Sequence, residues 1–371
     1  MTSILIRCDA STSIGSGHVM RCRTLARELQ QRGAAVTFLC RRQAGSLIGL
    51  LEQEFSVLAL PERTLAPCGG VEGRVLYSAW LGCSQAQDAT DCLQVLDQTG
   101  IRNASWLVVD HYGLDTVWET QMLAGLDSNN FPRLLVIDDL ADRPHQADLL
   151  LDQNFYGDAT EVRYADLVPQ HCRKLLGPHY ALLGPEYAQL HPLVPSRMEL
   201  RRVLVFFGGV DHGNLTSSVL EVLKDSSLSH LAVDVVLGHQ SMHRQSVIDI
   251  VKKRDGITFH DPLPSLAGLI ARADISIGAA GATTWERFCL GCPSVSTVIA
   301  DNQIELAHAL GTHGLAYIIK NSSLGYGEAC YNAIKYFMDS TKLRLSSELT
   351  CGVCDGNGAK IVSEILFPLS Q

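Results

Sequence analysis

Short, uninterrupted apolar runs alternate with longer amphipathic stretches along almost the whole chain, and this rhythm constrains the fold more than any other feature. "ILIRC" (Ile4–Cys8), "AAVTFLC" (Ala34–Cys40), "SVLAL", "WLVVD" and "LLVID" read as strands, with helices predicted over His18–Arg32 and "SLIGLLEQ". The strands are continuously apolar rather than alternating. Such strands are buried on both faces, which predicts parallel sheets covered by helices on either side. The rhythm breaks after Gly184, where "GPEYAQLHPLVPSRMELRR" has no clear period. It restarts with "VLVFFGG", "LAVDVVLG", "ITFHD", "DISIGAA", "PSVSTVIA" and "LAYIIK". Two consecutive α/β units of the doubly wound kind are therefore expected. The predicted division is 1–183 for the first domain, 184–200 for a linker and 201–371 for the second domain. The amphipathic "AKIVSEILF" near the end is a candidate to pack back on the first domain. A chain of 371 residues also exceeds what one ordinary core organises.

Charge excludes some function classes. The formal net charge is −9 and no Lys/Arg-rich block occurs, so neither nucleic acid nor an anionic membrane surface is an expected partner. An anionic small molecule must be bound by local donors instead. No apolar run reaches the ~18 residues of a spanning helix. "MTSILIRCDAST" turns polar too early for a signal peptide. The expected location is cytoplasmic and the expected state monomeric. The 12 cysteines mostly sit among apolar residues, as small buried side chains do. Two C-x-x-C pairs, Cys289/Cys292 and Cys351/Cys354, lie much farther apart than the roughly 15–20 residues of a zinc ribbon, so no metal is expected.

The chemistry-bearing residues cluster at predicted strand ends, where doubly wound folds bind ligands. In "DASTSIGSGHVMR" the turn holds Gly15 and Gly17, and His18 and Arg21 open the helix. Free N–H groups at a helix start suit a phosphate, but the Gly-Lys-Ser/Thr of a P-loop is missing. "VVDHYG" ends a strand with Asp110, His111 and Tyr112, all three expected to face the same cleft. "VFFGGVDHGN" brings Gly209 to the matching turn of the second unit. "GAAGATTWE" follows with Gly281, Thr283, Thr284 and Glu286. The two threonines are candidates to donate to a pyrophosphate, and the Glu286 carboxylate to accept from ribose hydroxyls. Thr283 and Glu286 also have the spacing of a capping box. "ADNQ" places Asn302 and Gln303 at a strand-to-helix junction, where they would cap the helix or bind a sugar.

Taken together, "RCDASTSIGSGHVMR", "DHYG", "FGGVD", "GAAGATTWE…LGCPSV", "DNQ" and "DGNGA" resemble the UDP-2,4-diacetamido-2,4,6-trideoxy-β-L-altropyranose hydrolases of pseudaminic acid biosynthesis. These belong to the MurG-like superfamily. The resemblance runs from Arg7 to Ala359. It implies a GT-B fold, with two Rossmann-like domains facing a cleft. It implies cleavage of the UDP-sugar to UDP and free sugar with inversion, as in an inverting glycosyltransferase whose acceptor is water. The catalytic set it implies is His18 as general base with Tyr112 and Asn302 near the sugar. Gly209, Gly281, Thr283, Thr284 and Glu286 are the implied nucleotide contacts. Gly15, Gly17, Arg21, Asp110, His111 and Gln303 are the expected sugar and phosphate contacts. No cofactor is implied. A glycosyltransferase, a UDP-sugar 2-epimerase and a non-catalytic sugar-nucleotide binder remain alternatives on this scaffold. The stretch Arg63–Gln85 matches nothing that would give it a role.

Overall fold

A computed structural model of the chain describes residues 2–63, 77–126, 132–239, 241–319 and 325–368. The chain forms two compact units. One holds Met1–Asn154, Asp158–Leu182 and Gly358–Gln371; the other holds Phe155–Gly157 and Leu183–Asn357.

The first unit is built on a seven-stranded, all-parallel sheet. Its strands are β1 (Ser3–Cys8), β2 (Ala35–Arg41), β3 (Ser56–Leu60), β4 (Trp106–Asp110), β5 (Arg133–Ile137), β6 (Leu149–Asp152) and β7 (Arg173–Leu176). Their order is β3-β2-β1-β4-β5-β6-β7. Side chains of β1 alternate between two cores. Ile4, Ile6 and Cys8 meet Val19, Cys22, Leu25 and Leu29 of the helix Gly17–Gln31. Leu5 faces Ala89, Cys92 and Leu96 of the helix Gln85–Thr99, with Trp118 and Met122 behind. This two-sided burial explains why the strands read as continuous apolar runs.

The second unit is a six-stranded parallel sheet of β8 (Arg202–Phe206), β9 (Ala232–Val236), β10 (Ile257–His260), β11 (Ile275–Ala279), β12 (Ser294–Thr297) and β13 (Tyr317–Ile319). The order is β10-β9-β8-β11-β12-β13. In both units the order reverses between the first and fourth strands, β1/β4 and β8/β11. Ligands of doubly wound sheets bind at that switch point. The four loops leaving these strands carry "DASTSIGSGH", "HYG", "GGVDHGN" and "GATTWE". Strands β8 and β11 come so close that a Cβ on Gly278 would collide with the Phe206 carbonyl oxygen, so only glycine fits there.

The bounds differ from the sequence-based ones, and Phe155–Gly157 and Leu183 group with the second unit. The stretch 184–200 groups with the second unit and contains the helix Pro185–Leu190, with Tyr187 3% exposed. Pro185 occupies the first helical turn, where proline starts a helix rather than breaking one. The segment from Gly358 groups with the first unit. Its helix Gly358–Leu366 lies against Gly17–Gln31, and Trp106 Nε1 donates to the Leu366 carbonyl at 2.9 Å.

A buried ionic network ties the first unit together. Arg7, Arg41 and Asp88 are all fully buried. Asp88 accepts from Arg7 Nη2 at 2.8 Å, Arg41 Nη2 at 2.6 Å and Trp118 Nε1 at 2.9 Å. Arg7 also reaches Asp9, and Arg41 reaches Asp91. Burial alone would raise the Asp88 carboxyl, but Arg7 and Arg41 overcome it and hold it well below the usual carboxylate range. The helix Gln85–Thr99 is thereby pinned to β1 and β2.

Candidate active site

In the first unit the turn after β1 is closed by Ser11. Its carbonyl accepts from Gly15 N at 2.8 Å and its hydroxyl from Ile14 N at 3.0 Å. Gly15 has φ +80°, which favours glycine. The helix starts at Gly17, and no side chain caps it. His18 is 6% exposed, in its first turn.

His18 Nδ1 lies 2.6 Å from Asp110 Oδ1. Cys8 of β1 pairs with Asp110 of β4, so the strand register delivers this carboxylate to the start of the first helix. Arg21 Nε and Nη2 hold the same carboxylate at 2.6 and 2.7 Å. Burial would raise Asp110, yet Arg21 and His18 hold it well below the usual range, so it is ionised. An ionised carboxylate only accepts. Nδ1 therefore carries a proton toward Asp110, which leaves Nε2 as the ring nitrogen able to accept one.

Asp139 completes the shell. It accepts from Arg21 Nη1 at 3.1 Å and from the Tyr112 hydroxyl. The Tyr112 ring meets His18 edge-on, with centroids 4.5 Å apart. Burial, then the Asp139 charge, push its phenol well above the ordinary value, so Tyr112 stays protonated.

Two expected contacts have protein partners. Side chains at successive strand-end positions point to opposite sides. His111 has Nε2 3.5 Å from Asp9 Oδ2, Nδ1 accepting from Gly113 N at 3.0 Å, and its ring edge-on to Trp80 with centroids 6.5 Å apart. Burial pushes its imidazole down to about 3. The motif reading gives Arg21 to sugar or phosphate, but Asp110 and Asp139 occupy its guanidinium. Asp139 carries no sequence signal of its own, and neither does the pairing of His18 with Asp110; sequence reasoning misses both.

In the second unit, Gly281 and Gln303 lie side by side, and Thr283 and Glu286 follow Gly281 in the first turn of the helix Thr283–Cys289. A Cβ on Gly281 would lie 3.3 Å from Gln303 Nε2, and Gln303 Oε1 accepts from Ile299 N at 3.1 Å. Asn302 is partly exposed on the turn Asp301–Gln303, and no side chain caps the helix Ile304–Thr312. Gly209 follows Gly208, which has φ +94°. Thr284 differs from expectation. It is fully buried, its N–H donates to the Gly281 carbonyl at 2.9 Å and its hydroxyl accepts from Arg287 at 2.9 Å. The capping box is not made either, since no side chain caps Thr283–Cys289. Glu286 instead accepts from the Tyr187 hydroxyl at 2.9 Å. Burial pushes its carboxyl up to about 7, against the Tyr187 hydrogen bond and the Arg287 charge. Among the described residues, no group of three His, Cys, Asp or Glu is arranged to hold a metal ion. No described helix is long and apolar enough to cross a membrane.

Solved structures with this architecture include MurG of Acinetobacter baumannii, 16% identical with a TM-score of 0.64 over 99% of both chains. A second is Phytolacca americana UGT2 complexed with UDP-2-fluoroglucose and pterostilbene, 12% identical with a TM-score of 0.68 over the whole of both chains. The fold is GT-B. No family model matches the sequence. The spore coat polysaccharide biosynthesis protein SpsG of Bacillus subtilis is 23% identical over 99% of this chain and 98% of its own. The UDP-2,4-diacetamido-2,4,6-trideoxy-β-L-altropyranose hydrolase of Campylobacter jejuni is 25% identical over 62% of this chain and 68% of its own. An Exiguobacterium N-acetylglucosamine transferase acting on pyrophosphoryl-undecaprenol is 26% identical over 46% of this chain and 49% of its own. The chain is thus similar in sequence to the altropyranose hydrolase and in fold to GT-B proteins.

Proposed function

We propose that this GT-B chain is an enzyme that hydrolyses a UDP-linked diacetamido-trideoxy sugar to UDP and the free sugar. The observation that carries the proposal is the 2.6 Å contact between His18 Nδ1 and an ionised Asp110. A histidine with Nδ1 committed to a carboxylate offers Nε2 as general base. Nε2 takes a proton from water as the water oxygen bonds to the anomeric carbon. The bond from that carbon to the β-phosphate oxygen breaks, and UDP leaves with the electron pair. Attack opposite the leaving group inverts the anomeric centre. The imidazolium then returns its proton to solvent. Asp110 steadies the imidazolium, while Arg21 and Asp139 position Asp110 and Tyr112. UDP is a good leaving group, so no separate general acid is assigned. Gly209, Gly281, Thr283, Glu286 and Gln303 of the second unit are the proposed nucleotide contacts, with Asn302 beside the sugar.

The second reading is a transferase in which His18 deprotonates an acceptor hydroxyl; similarity to the Exiguobacterium enzyme favours it. An acceptor-free assay separates the two. Purified protein and the UDP-diacetamido-trideoxy sugar should release UDP continuously. UDP release that starts only when a hydroxyl acceptor is added would make the chain a transferase.

The role of Glu286 predicts a pH dependence. Ribose hydroxyls donate more strongly to a carboxylate than to a neutral carboxyl, a difference of about 1 kcal/mol or roughly fivefold. A carboxyl whose value is pushed up to about 7 is mostly protonated below that pH and ionised above it. UDP affinity should therefore rise by about that factor from pH 6 to pH 8. Calorimetry of Glu286→Gln against wild type checks this, since the variant should lack that part of the rise. Identical pH profiles would remove Glu286 from the nucleotide site.

A further inference from the structure

The sequence reading assigns no role to the stretch Arg63–Gln85, and residues 64–76 of it lie outside the described part of the chain. Within the described remainder, Trp80 lies beside His18. The 3₁₀ turn Ser78–Leu81 is anchored by the fully buried Leu81, and Gln43 Nε2 donates to the Trp80 carbonyl at 2.8 Å. These anchors set the Trp80 indole on Tyr112, stacked at 27° with centroids 5.6 Å apart. The same indole meets His18 edge-on at 6.2 Å. Tyr77 lies 4.7 Å from Trp80 and 5.4 Å from Tyr112, centroid to centroid. His18 is thus flanked by aromatic rings, while Trp80 itself stays partly exposed.

What these rings present beside the base is apolar. The Tyr112 hydroxyl donates to Asp139, so it has no proton left to give a sugar oxygen. A partly exposed indole next to a general base offers a flat surface to C–H groups. It offers nothing to a hydroxyl except its single N–H. A sugar with a methyl in place of a hydroxymethyl group, and with acetamido methyls, fits such a wall. A hydroxymethyl placed there would lose its water partners without replacement.

We propose that Trp80 is a specificity-determining residue, stacking against the apolar edge of the sugar and favouring deoxy, N-acetylated sugars over 6-hydroxylated ones. The inference rests on the sugar-nucleotide reading of this site and adds to it the residue that reads the sugar. It assigns Trp80 no part in proton transfer.

The test uses the full chain as wild type, Trp80→Ala and Trp80→Phe. Each is given the UDP-diacetamido-trideoxy sugar, UDP-N-acetylglucosamine and UDP alone. For the trideoxy sugar, Trp80→Ala should lower kcat/KM about 10- to 30-fold, mostly through KM. Trp80→Phe should recover part of the loss. Affinity for UDP alone and the pH profile of kcat should be unchanged. The preference for the trideoxy sugar over UDP-N-acetylglucosamine should shrink. If Trp80 only props up His18, kcat falls equally for both sugars, KM stays, and the specificity proposal is overturned. An unaltered kcat/KM for the trideoxy sugar overturns it as well. Calorimetry on a His18→Ala background separates this inference from the hydrolase reading. There, Trp80→Ala should shrink the extra affinity of the UDP-sugar over UDP, whether or not wild type cleaves the sugar. An unchanged increment counts against Trp80 alone, whereas absence of acceptor-free turnover by wild type counts against the hydrolase alone.

Discussion

Replacing His18 with alanine should lower kcat for UDP-sugar hydrolysis about 10²- to 10⁴-fold, the range typical for loss of a positioned general base. UDP affinity should change little, because the proposed nucleotide contacts belong to the second unit. The fall should appear equally in kcat and kcat/KM, the pattern of an interaction made only in the transition state. His18 is nearly buried, so truncation could also loosen its surroundings. Asp110→Asn provides the control. It keeps the shape of the site, but an amide can donate to Nδ1 and favour the wrong tautomer. It should therefore share most of the rate loss while leaving His18 in place. A His18→Ala enzyme that retains full rate would remove the base from the mechanism.

The second large effect is on stability. Asp88→Ala should destabilise the first unit by about 3–5 kcal/mol, the range for removing one partner of a buried ion pair. Asp88 is fully buried and takes hydrogen bonds from Arg7, Arg41 and Trp118. Its loss leaves two buried guanidinium groups short of a counter-charge. Asp9 and Asp91 still contact them, which places the expected cost toward the lower end. Urea unfolding followed by tryptophan fluorescence reads this unit well, since Trp80, Trp106 and Trp118 belong to it. A change below about 1 kcal/mol, the level of an exposed pair, would show that the network is not stabilising the unit.

Much of the architecture is legible in the sequence for a physical reason. Strands covered on both faces are mostly apolar at successive positions, and all six strands of the second unit lie within the runs that the sequence reading picks out. β6 and β7 are not among the runs that the sequence reading picks out, although at four residues each they are no shorter than β10, β12 and β13. The helix at Pro185 is hidden because proline reads as punctuation, although here it sits at a helix start. For the site, strand ends and glycine turns point to the right loops. Which way each side chain turns is less legible. Asp110 and Tyr112 reach the His18 surroundings while His111 goes to Asp9, an alternation that strand geometry can supply. Thr284 looks like a phosphate contact because composition says nothing about a buried arginine behind it. The His18–Asp110 pairing depends on β1 lying beside β4, and strand order is not written in either local motif.

The most direct test of the central claim is to run the reaction in ¹⁸O-labelled water without an acceptor and to follow both products by NMR and mass spectrometry. Water attack at the anomeric carbon predicts label in the free sugar, none in UDP, and the inverted anomer as the first sugar formed. Label in the β-phosphate of UDP, or no turnover until a hydroxyl acceptor is supplied, would contradict the account.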